Sequence, residues 1–167
     1  FEEQRKLWGG SQERRDDIRA VLAILSSSEV ALGREEIAEI GGIDHFREHG
    51  LAAVIGTLRR MVDGDDERGY FVAHPALAYH IKERVLEPRE AREWTKRLEE
   101  YVLHVVAEVG ANRRTPQQVP RSVVRLASAT LKRCSEGSNL WLVLCSRAWH
   151  DARNRFGTDI AGFRADV

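Results

Sequence analysis

Apolar residues recur every three or four positions in three stretches of the first half of the chain. The stretches run from Arg14 to Ser26, from Arg34 to Ile40 and from Leu51 to Val62. Their recurring apolar positions are Ile18, Val21, Leu22 and Leu25; Ile37, Ala38 and Ile40; and Leu51, Val54, Ile55, Leu58, Met61 and Val62. Because this spacing places the apolar side chains on one face of a helix, the pattern predicts three amphipathic helices.

A short β element is predicted directly after the third helix. Residues Asp63 to Gly69 are charged or glycine and favour a turn, and Tyr70 to Ala73 have the composition of a strand. Three helices followed by a turn and a short β element is the order of a winged helix, a variant of the helix-turn-helix. The pattern therefore predicts a winged helix, with three helices plus a short β wing, in the first half.

The second half of the chain is predicted to be helical. Pro75 suits the first turn of a helix reaching Val85, because a proline nitrogen has no hydrogen to leave unpaired there. Three further helices follow from apolar spacing. They span Glu90 to Val109, Arg121 to Cys134, and Asn139 to Asn154, the last with Trp141, Leu144, Cys145, Ala148 and Trp149 inward. The predicted fold class is mainly α, a winged helix followed by a helical domain.

These elements divide the chain into four segments. Residues 1–13 have the character of an incoming linker, residues 14–87 form the predicted winged-helix domain, residues 88–155 a helical domain, and residues 156–167 a tail or the start of a following region. The chain begins with Phe1 and its one methionine is Met61, so we expect it to be part of a longer protein.

Composition narrows the class of protein. The chain has 167 residues, 43% of them hydrophobic and 31% charged, which is typical of globular domains. Lysine plus arginine equals aspartate plus glutamate at 26 each, and this zero net charge weighs against DNA as the main partner. No apolar run is long enough to cross a membrane, so we expect a cytoplasmic protein with Cys134 and Cys145 reduced.

Four consecutive segments carry a resemblance to a known family. They read "DIRAVLAIL", "LGREEIAEIGG", "LAAVIGTLRRMV" and "GYFVAHPALAYHI", and all four lie between Asp17 and Leu86. In layout, this part resembles the winged helix that follows the nucleotide-binding and lid domains of STAND NTPases, the class that includes NACHT and NB-ARC switches. The last segment resembles the family's strand that carries a histidine into the next helix.

The resemblance implies a role for His74. The matching histidine in the family lies against the β-phosphate of bound ADP and holds the protein in its closed, inactive state. An imidazole at the start of a helix, beside partly positive backbone N–H groups, is chemically suited to a phosphate. Plant-type members have an aspartate after this histidine, whereas Pro75 stands here. The sequence is closer to the bacterial and NACHT-like form, in which a small residue and an apolar helix follow the histidine.

The resemblance implies a regulatory module without catalysis of its own. Nothing in the chain matches the G-x-x-x-x-G-K-[ST] loop that cradles phosphates, so we expect no enzyme activity and no cofactor in this chain, with ADP or ATP bound by the parent. The expected partners are the upstream nucleotide-binding domain and sibling protomers. Nucleotide release would then be relayed to oligomerisation.

The residues also permit other interpretations. Arg47, Arg59 and Arg60 flank or close the third helix and would be the DNA contacts of a winged-helix transcriptional regulator, although the acidic wing argues against this. A weaker alternative is an adaptor that docks a partner helix on Trp141 or Trp149. Arg113, Arg114 and Arg121 form another basic cluster, which we interpret as a solvated loop.

One short motif resembles a metal site. His45, Glu48 and His49 match the H-x-x-E-H spacing of inverted zincins, which needs both imidazoles on one helical face. Gly50 follows at once and no third ligand can be named. We therefore predict an exposed polar turn without a metal.

Overall fold

The computed structural model describes residues 11–134 and 138–157. This part is mainly helical with one small two-stranded antiparallel sheet, which confirms the predicted class at that level. The helices are α1 (Gln12–Ser27), α2 (Arg34–Gly41), α3 (Gly50–Thr57), α4 (Pro75–His80), α5 (Pro88–Gly110), α6 (Arg121–Cys134), α7 (Ser138–Leu144) and α8 (Arg147–Asn154). The strands are β1 (Val62–Asp65) and β2 (Gly69–Val72). Short 3-10 turns occupy Asp44–Arg47 and Pro116–Gln118, and a π-helical turn occupies Ile81–Val85.

The chain divides into two compact units whose boundary falls inside α5, between Leu98 and Glu99. The first unit contains α1 to α4 and both strands, and the second contains α6 to α8. The predicted linker is described only from Ser11 onward, and the predicted tail only as far as Gly157; residues 1–10 and 158–167 lie outside the described residues.

Helix α1 is buried on all sides along its second half. The sequence predicted a single apolar stripe, whereas every residue from Ala20 to Ser26 is buried. The reason is that α1 contacts α2, α3, α4, β2 and the π-helical turn of the same unit. A helix surrounded in this way buries its small residues as well as its large ones.

Side chains and glycines set the ends of the first two helices. Ser11 Oγ accepts a hydrogen bond from the Arg14 N–H at 3.4 Å, so α1 begins at Gln12, inside the segment assigned to the linker. In α2, the Glu36 carboxylate accepts from the Gly33 N–H at 2.7 Å. Gly42 ends α2 with φ of 64°, the left-handed conformation that glycine adopts readily.

Helix α3 is shorter than predicted. It ends at Thr57, because the Leu58 carbonyl accepts hydrogen bonds from the N–H groups of Met61 and Val62 and turns the chain toward β1. The prediction that Arg59 and Arg60 close this helix is therefore wrong, and both lie in the turn. The polar segment after it is also not all turn, since its first residues belong to β1.

The hairpin has a glycine with positive φ in each strand, Gly64 in β1 and Gly69 in β2. The strands pair from Val62 opposite Val72 to Asp65 opposite Gly69, and Leu32 adds a single antiparallel bridge to Tyr70. Gly64 has φ of 113°, and a Cβ there would lie 2.0 Å from the Gly69 carbonyl oxygen. The partner strand leaves no room for a side chain.

The second unit has its own core. Its largest buried side chains come from α5, α6 and α8, together with the loop before α6: Tyr101, Val102, Val105, Val106, Val109, Val119, Val123, Val124, Leu126, Leu131 and Trp149. The predicted single helix from Asn139 to Asn154 is wrong, because it is two helices, α7 and α8. Ser146 separates them by accepting a hydrogen bond from the Trp149 N–H at 3.2 Å. Cys145 is consequently exposed rather than inward.

We expect Phe46→Ala to lower the free energy of unfolding by about 3–5 kcal/mol, because the ring is fully buried and its removal leaves a cavity. The matched control is Phe71→Ala, whose ring is 39% exposed and whose loss should cost about 1 kcal/mol or less. Urea unfolding followed by circular dichroism measures both. Equal losses would contradict the burial assigned to Phe46.

We expect Gly64→Ala to lower the free energy of unfolding by about 1–3 kcal/mol, because alanine strains the positive φ and meets the facing strand. Gly56→Ala is the control. Gly56 lies in α3 with open space around it, so alanine there should raise the free energy of unfolding by about 0.5–1 kcal/mol. Opposite signs in thermal melts support the hairpin, and a neutral Gly64→Ala contradicts it.

Candidate functional site

His74 lies at the junction of β2 and α4 and is exposed. Its Nδ1 accepts a hydrogen bond from the Ala76 N–H at 3.1 Å, which makes it the N-cap of α4, and Pro75 occupies the first helical position as predicted. A ring that accepts at Nδ1 carries its proton on Nε2 when neutral. The arrangement therefore combines a capping acceptor with a hydrogen-bond donor on the exposed side chain.

The helix that His74 caps lies at the surface. No residue of α4 is buried, and the Tyr79 side chain is 69% exposed. The helix is anchored instead by the following π-helical turn, where Ile81 is fully buried. Such widened turns cost regular hydrogen bonding and recur at functional sites. Here the turn places an apolar side chain in the core and leaves the α4 surface accessible.

The acidic residues of the hairpin are largely satisfied by neighbours. Arg34 binds both Asp66 carboxylate oxygens, at 3.0 and 2.6 Å, and Tyr70 Oη donates to Asp66 Oδ1 at 2.9 Å. The hydrogen bonds from Arg34 lower the pKa of Asp66, and burial raises the pKa of Tyr70. Asp66 thus joins the hairpin to α2 and is not an open ligand.

Asp65 is satisfied within the hairpin turn itself. It accepts hydrogen bonds from the N–H groups of Glu67 and Arg68, and it also pairs with the Arg68 guanidinium. The backbone hydrogen bond from Arg68 is the largest cause of the lowered pKa of Asp65. The hairpin is acidic in sequence, but the carboxylates of Asp65 and Asp66 already have cationic partners.

The predicted DNA contacts differ in availability. Arg47 pairs with Glu35 at 2.7 Å and lies 3.8 Å from the Asp44 carboxylate, so its charge is largely neutralised. Arg59 and Arg60 are exposed, and within the described part of the chain neither makes a hydrogen bond or ion pair. These two arginines remain open to an anion.

The H-x-x-E-H motif does not form the geometry of a zincin. His45 lies in a 3-10 turn with the buried Phe46, whereas Glu48 and His49 precede α3. His45 Nε2 bonds Asp17 Oδ2 at 2.9 Å, which ties the turn to α1. Within residues 11–134 and 138–157, no group of three or more metal-binding side chains occurs. The turn is structural, with its phenyl ring in the core.

The tryptophans of the last two helices are not equivalent. Trp149 is 1% exposed and belongs to the core, so the prediction that a partner docks on it is wrong. Trp141 is half-buried, and the neighbouring Leu142 is 69% exposed. The accessible apolar surface of this region therefore lies on α7.

No family model, curated protein or solved structure matches the chain. Among the described residues, no helix is both long and apolar enough to span a bilayer.

We expect Asp66→Asn to lower the free energy of unfolding at neutral pH by about 0.5–1 kcal/mol, because it removes the charge that Arg34 and Tyr70 bind. The Asp66 side chain is 56% exposed, so solvent screening keeps this effect small. Its native pKa is lowered, so the stabilisation is present above the ordinary value of about 3.9 and is lost as the pH falls through the native pKa.

Chemical denaturation at neutral pH and near pH 2 compares wild type with Asp66→Asn. The difference should shrink at the lower pH, where the native carboxyl becomes protonated. Glu67→Gln removes one charge from the same turn, at an exposed side chain to which Arg34 donates no hydrogen bond within the described residues. If Glu67→Gln lost as much stability as Asp66→Asn, the Arg34 pair would not be the cause.

Proposed function

We propose that this chain is a non-catalytic regulatory module of a STAND-type NTPase switch, with a winged helix in its first unit. Support comes from the resemblance across Asp17 to Leu86 and from the order of elements in that segment. Three helices precede an antiparallel hairpin, and Leu32 adds a bridge beside β2. A winged helix has the same order of helices and β elements.

The observation that carries the proposal is the placement of His74. It lies between β2 and α4, is exposed, and uses Nδ1 for the cap. The remaining ring nitrogen can donate a hydrogen bond to a phosphate oxygen without breaking the cap.

The proposed mechanism is a shift between closed and open states of the parent protein. Nucleotide bound by the upstream domain would favour the closed state only to the extent that it interacts better with that state. A hydrogen bond from His74 to a charged phosphate contributes about 1.5–3 kcal/mol, which is enough to bias the equilibrium about tenfold or more. Loss of this contact would release the module and permit assembly with sibling protomers.

The chemistry of hydrolysis is assigned to the parent. The chain has no G-x-x-x-x-G-K-[ST] sequence to hold the phosphates of ATP or ADP. A single imidazole contact supplies too little free energy to bind a nucleotide alone. The module would therefore sense nucleotide held by its neighbour in a cytoplasmic protein.

In the full-length parent, we expect His74→Ala and His74→Asn both to accelerate ADP release about ten- to hundredfold and to raise basal activity. Asparagine is a good N-cap residue, so His74→Asn keeps the cap of α4 while removing the imidazole. Release of a fluorescent ADP analogue by stopped flow measures the effect. His49→Ala, at another exposed histidine that begins a helix, is the control.

The two substitutions separate sensing from capping. If His74→Asn behaves as wild type and only His74→Ala is altered, the histidine is a cap and the sensing role is refuted. If neither variant changes ADP release, the role is refuted as well.

A second candidate is a winged-helix DNA-binding regulator, favoured by the open guanidinium groups of Arg59 and Arg60. The ion-paired Arg47 and the carboxylates of the hairpin argue against it, because phosphates would meet few free cations there. Duplex binding that is lost on reversing Arg59 and Arg60 would make this candidate the better one.

A further inference from the structure

The zero net charge of the chain conceals an uneven distribution. Residues 1–98 contain 16 lysines and arginines against 19 aspartates and glutamates, whereas residues 99–167 contain 10 against 7. The first unit therefore has a formal charge of −3 and the second of +3. The positive charge of the second unit favours polyanions, even though the net charge of the whole chain is zero.

One segment of the second unit has no acidic residue. Between Glu108 and Glu136, no aspartate or glutamate occurs. The segment contains six cationic residues: Arg113, Arg114, Arg121, Arg125, Lys132 and Arg133. Helix α6 lies wholly within it, so its cations have no acidic neighbour on their own helix.

Two acidic residues in the described part of the unit are already paired. Glu108 binds Arg114 and Glu99 binds Arg133, each at 2.8 Å. Within the described part of the unit, Arg113, Arg121 and Arg125 are exposed and their side chains make no hydrogen bond or ion pair. Three arginines therefore keep an uncompensated charge.

Two of these arginines share one helical face. Arg121 and Arg125 are four residues apart on α6, so they point within about 40° of each other and lie about 6 Å apart along the axis. The other faces of α6 are occupied by its buried residues: Ser122, Val123, Val124, Leu126, Ala127, Thr130 and Leu131. The arginines consequently form the solvent face of a helix fixed in the core.

We propose that this face of α6, defined by Arg121 and Arg125 with Arg113 in the preceding loop, binds the phosphate backbone of a duplex nucleic acid without reading its sequence. Arginine is the cation best suited to phosphate, because its planar fork donates two hydrogen bonds at once. Phosphate contacts of this kind supply affinity and depend on salt but carry no sequence information.

The surroundings of the face disfavour other polyanions. Single-stranded nucleic acids need exposed aromatic rings for stacking, and α6 contains no aromatic residue. A helix that inserts into the surface of a membrane needs exposed apolar side chains beside its cations. The large apolar residues of α6 are all buried, which also leaves no seam for an acidic partner helix.

The test is fluorescence anisotropy of a labelled random-sequence DNA duplex with the full chain, starting at low salt and continued through a salt series. The double variant Arg121→Glu/Arg125→Glu should bind at least about tenfold more weakly, and its salt dependence should fall by about two ion equivalents. The control, Arg89→Glu/Arg92→Glu, makes the same charge changes at two exposed arginines of the first unit and should leave affinity within about twofold.

Loss of folding is separated from loss of binding. Arg121 is the first residue of α6, where glutamate interacts favourably with the helix dipole, so the variant should keep its circular dichroism and melting temperature. Arg121→Gln/Arg125→Gln removes the charges without reversing them and should give a smaller loss of affinity.

Several outcomes would overturn the proposal. Absence of duplex binding by the wild type at low salt refutes the proposed site on α6. Undiminished binding by the variant Arg121→Glu/Arg125→Glu refutes it as well. Equal losses in the α6 variant and in the control indicate general charge attraction. Loss of binding only in the variant Arg59→Glu/Arg60→Glu assigns DNA to the first unit. Tighter binding to phosphatidylserine vesicles or to poly-glutamate than to the duplex would assign the face to a membrane or an acidic protein.

Discussion

The complete burial of the second half of α1 is the constraint on which the first unit depends. Its residues from Ala20 to Ser26 contact helices on several sides and the hairpin strand β2, so those elements acquire their positions by packing against one helix. Polar contacts at the exposed edges of α1 then fix the orientation of the neighbouring elements. Asp17 holds the 3-10 turn through His45, and Arg19 binds Glu90 at the start of α5 with two hydrogen bonds, which lower the pKa of the Glu90 carboxyl. An apolar core thus sets the packing, and charged pairs at its rim select the arrangement.

The carboxylates of the hairpin hold it in place and also set the charge of its surface. Asp66 connects it to α2 through Arg34, and Asp65 is bound by its own turn. These carboxylates are consequently engaged in holding the hairpin rather than in binding a cation. Their negative charge also disfavours phosphate groups at the hairpin. The strand that leaves the hairpin leads directly to this histidine, so the same pairing positions its ring.

The two units carry opposite charge and offer different chemistry. In the first, Arg34, Arg47 and Arg68 are paired, and the contact proposed for nucleotide is the single imidazole of His74. In the second, no acidic residue occurs between Glu108 and Glu136, and within the described residues the Arg121 and Arg125 side chains have no partner. We propose a different ligand for each unit, a nucleotide held by the parent for the first and a duplex for the second. The proposals are independent, since each depends on residues of a single unit.

The sequence by itself determined most helices, because periodic apolar residues decide which face can be buried, and it placed Pro75 at a helix start through the missing proline N–H. Tertiary structure decided the rest. Val62 continued the apolar pattern of α3, yet pairing with Val72 drew it into β1, since one apolar residue at this position suits a helix and a strand equally well. Ser146 split the last predicted helix by capping α8. Folding also decided which charges are paired. Arg34 and Arg121 both begin helices, but folding brings Asp66 to Arg34, whereas the Arg121 side chain has no partner in the part of the chain that the structure describes.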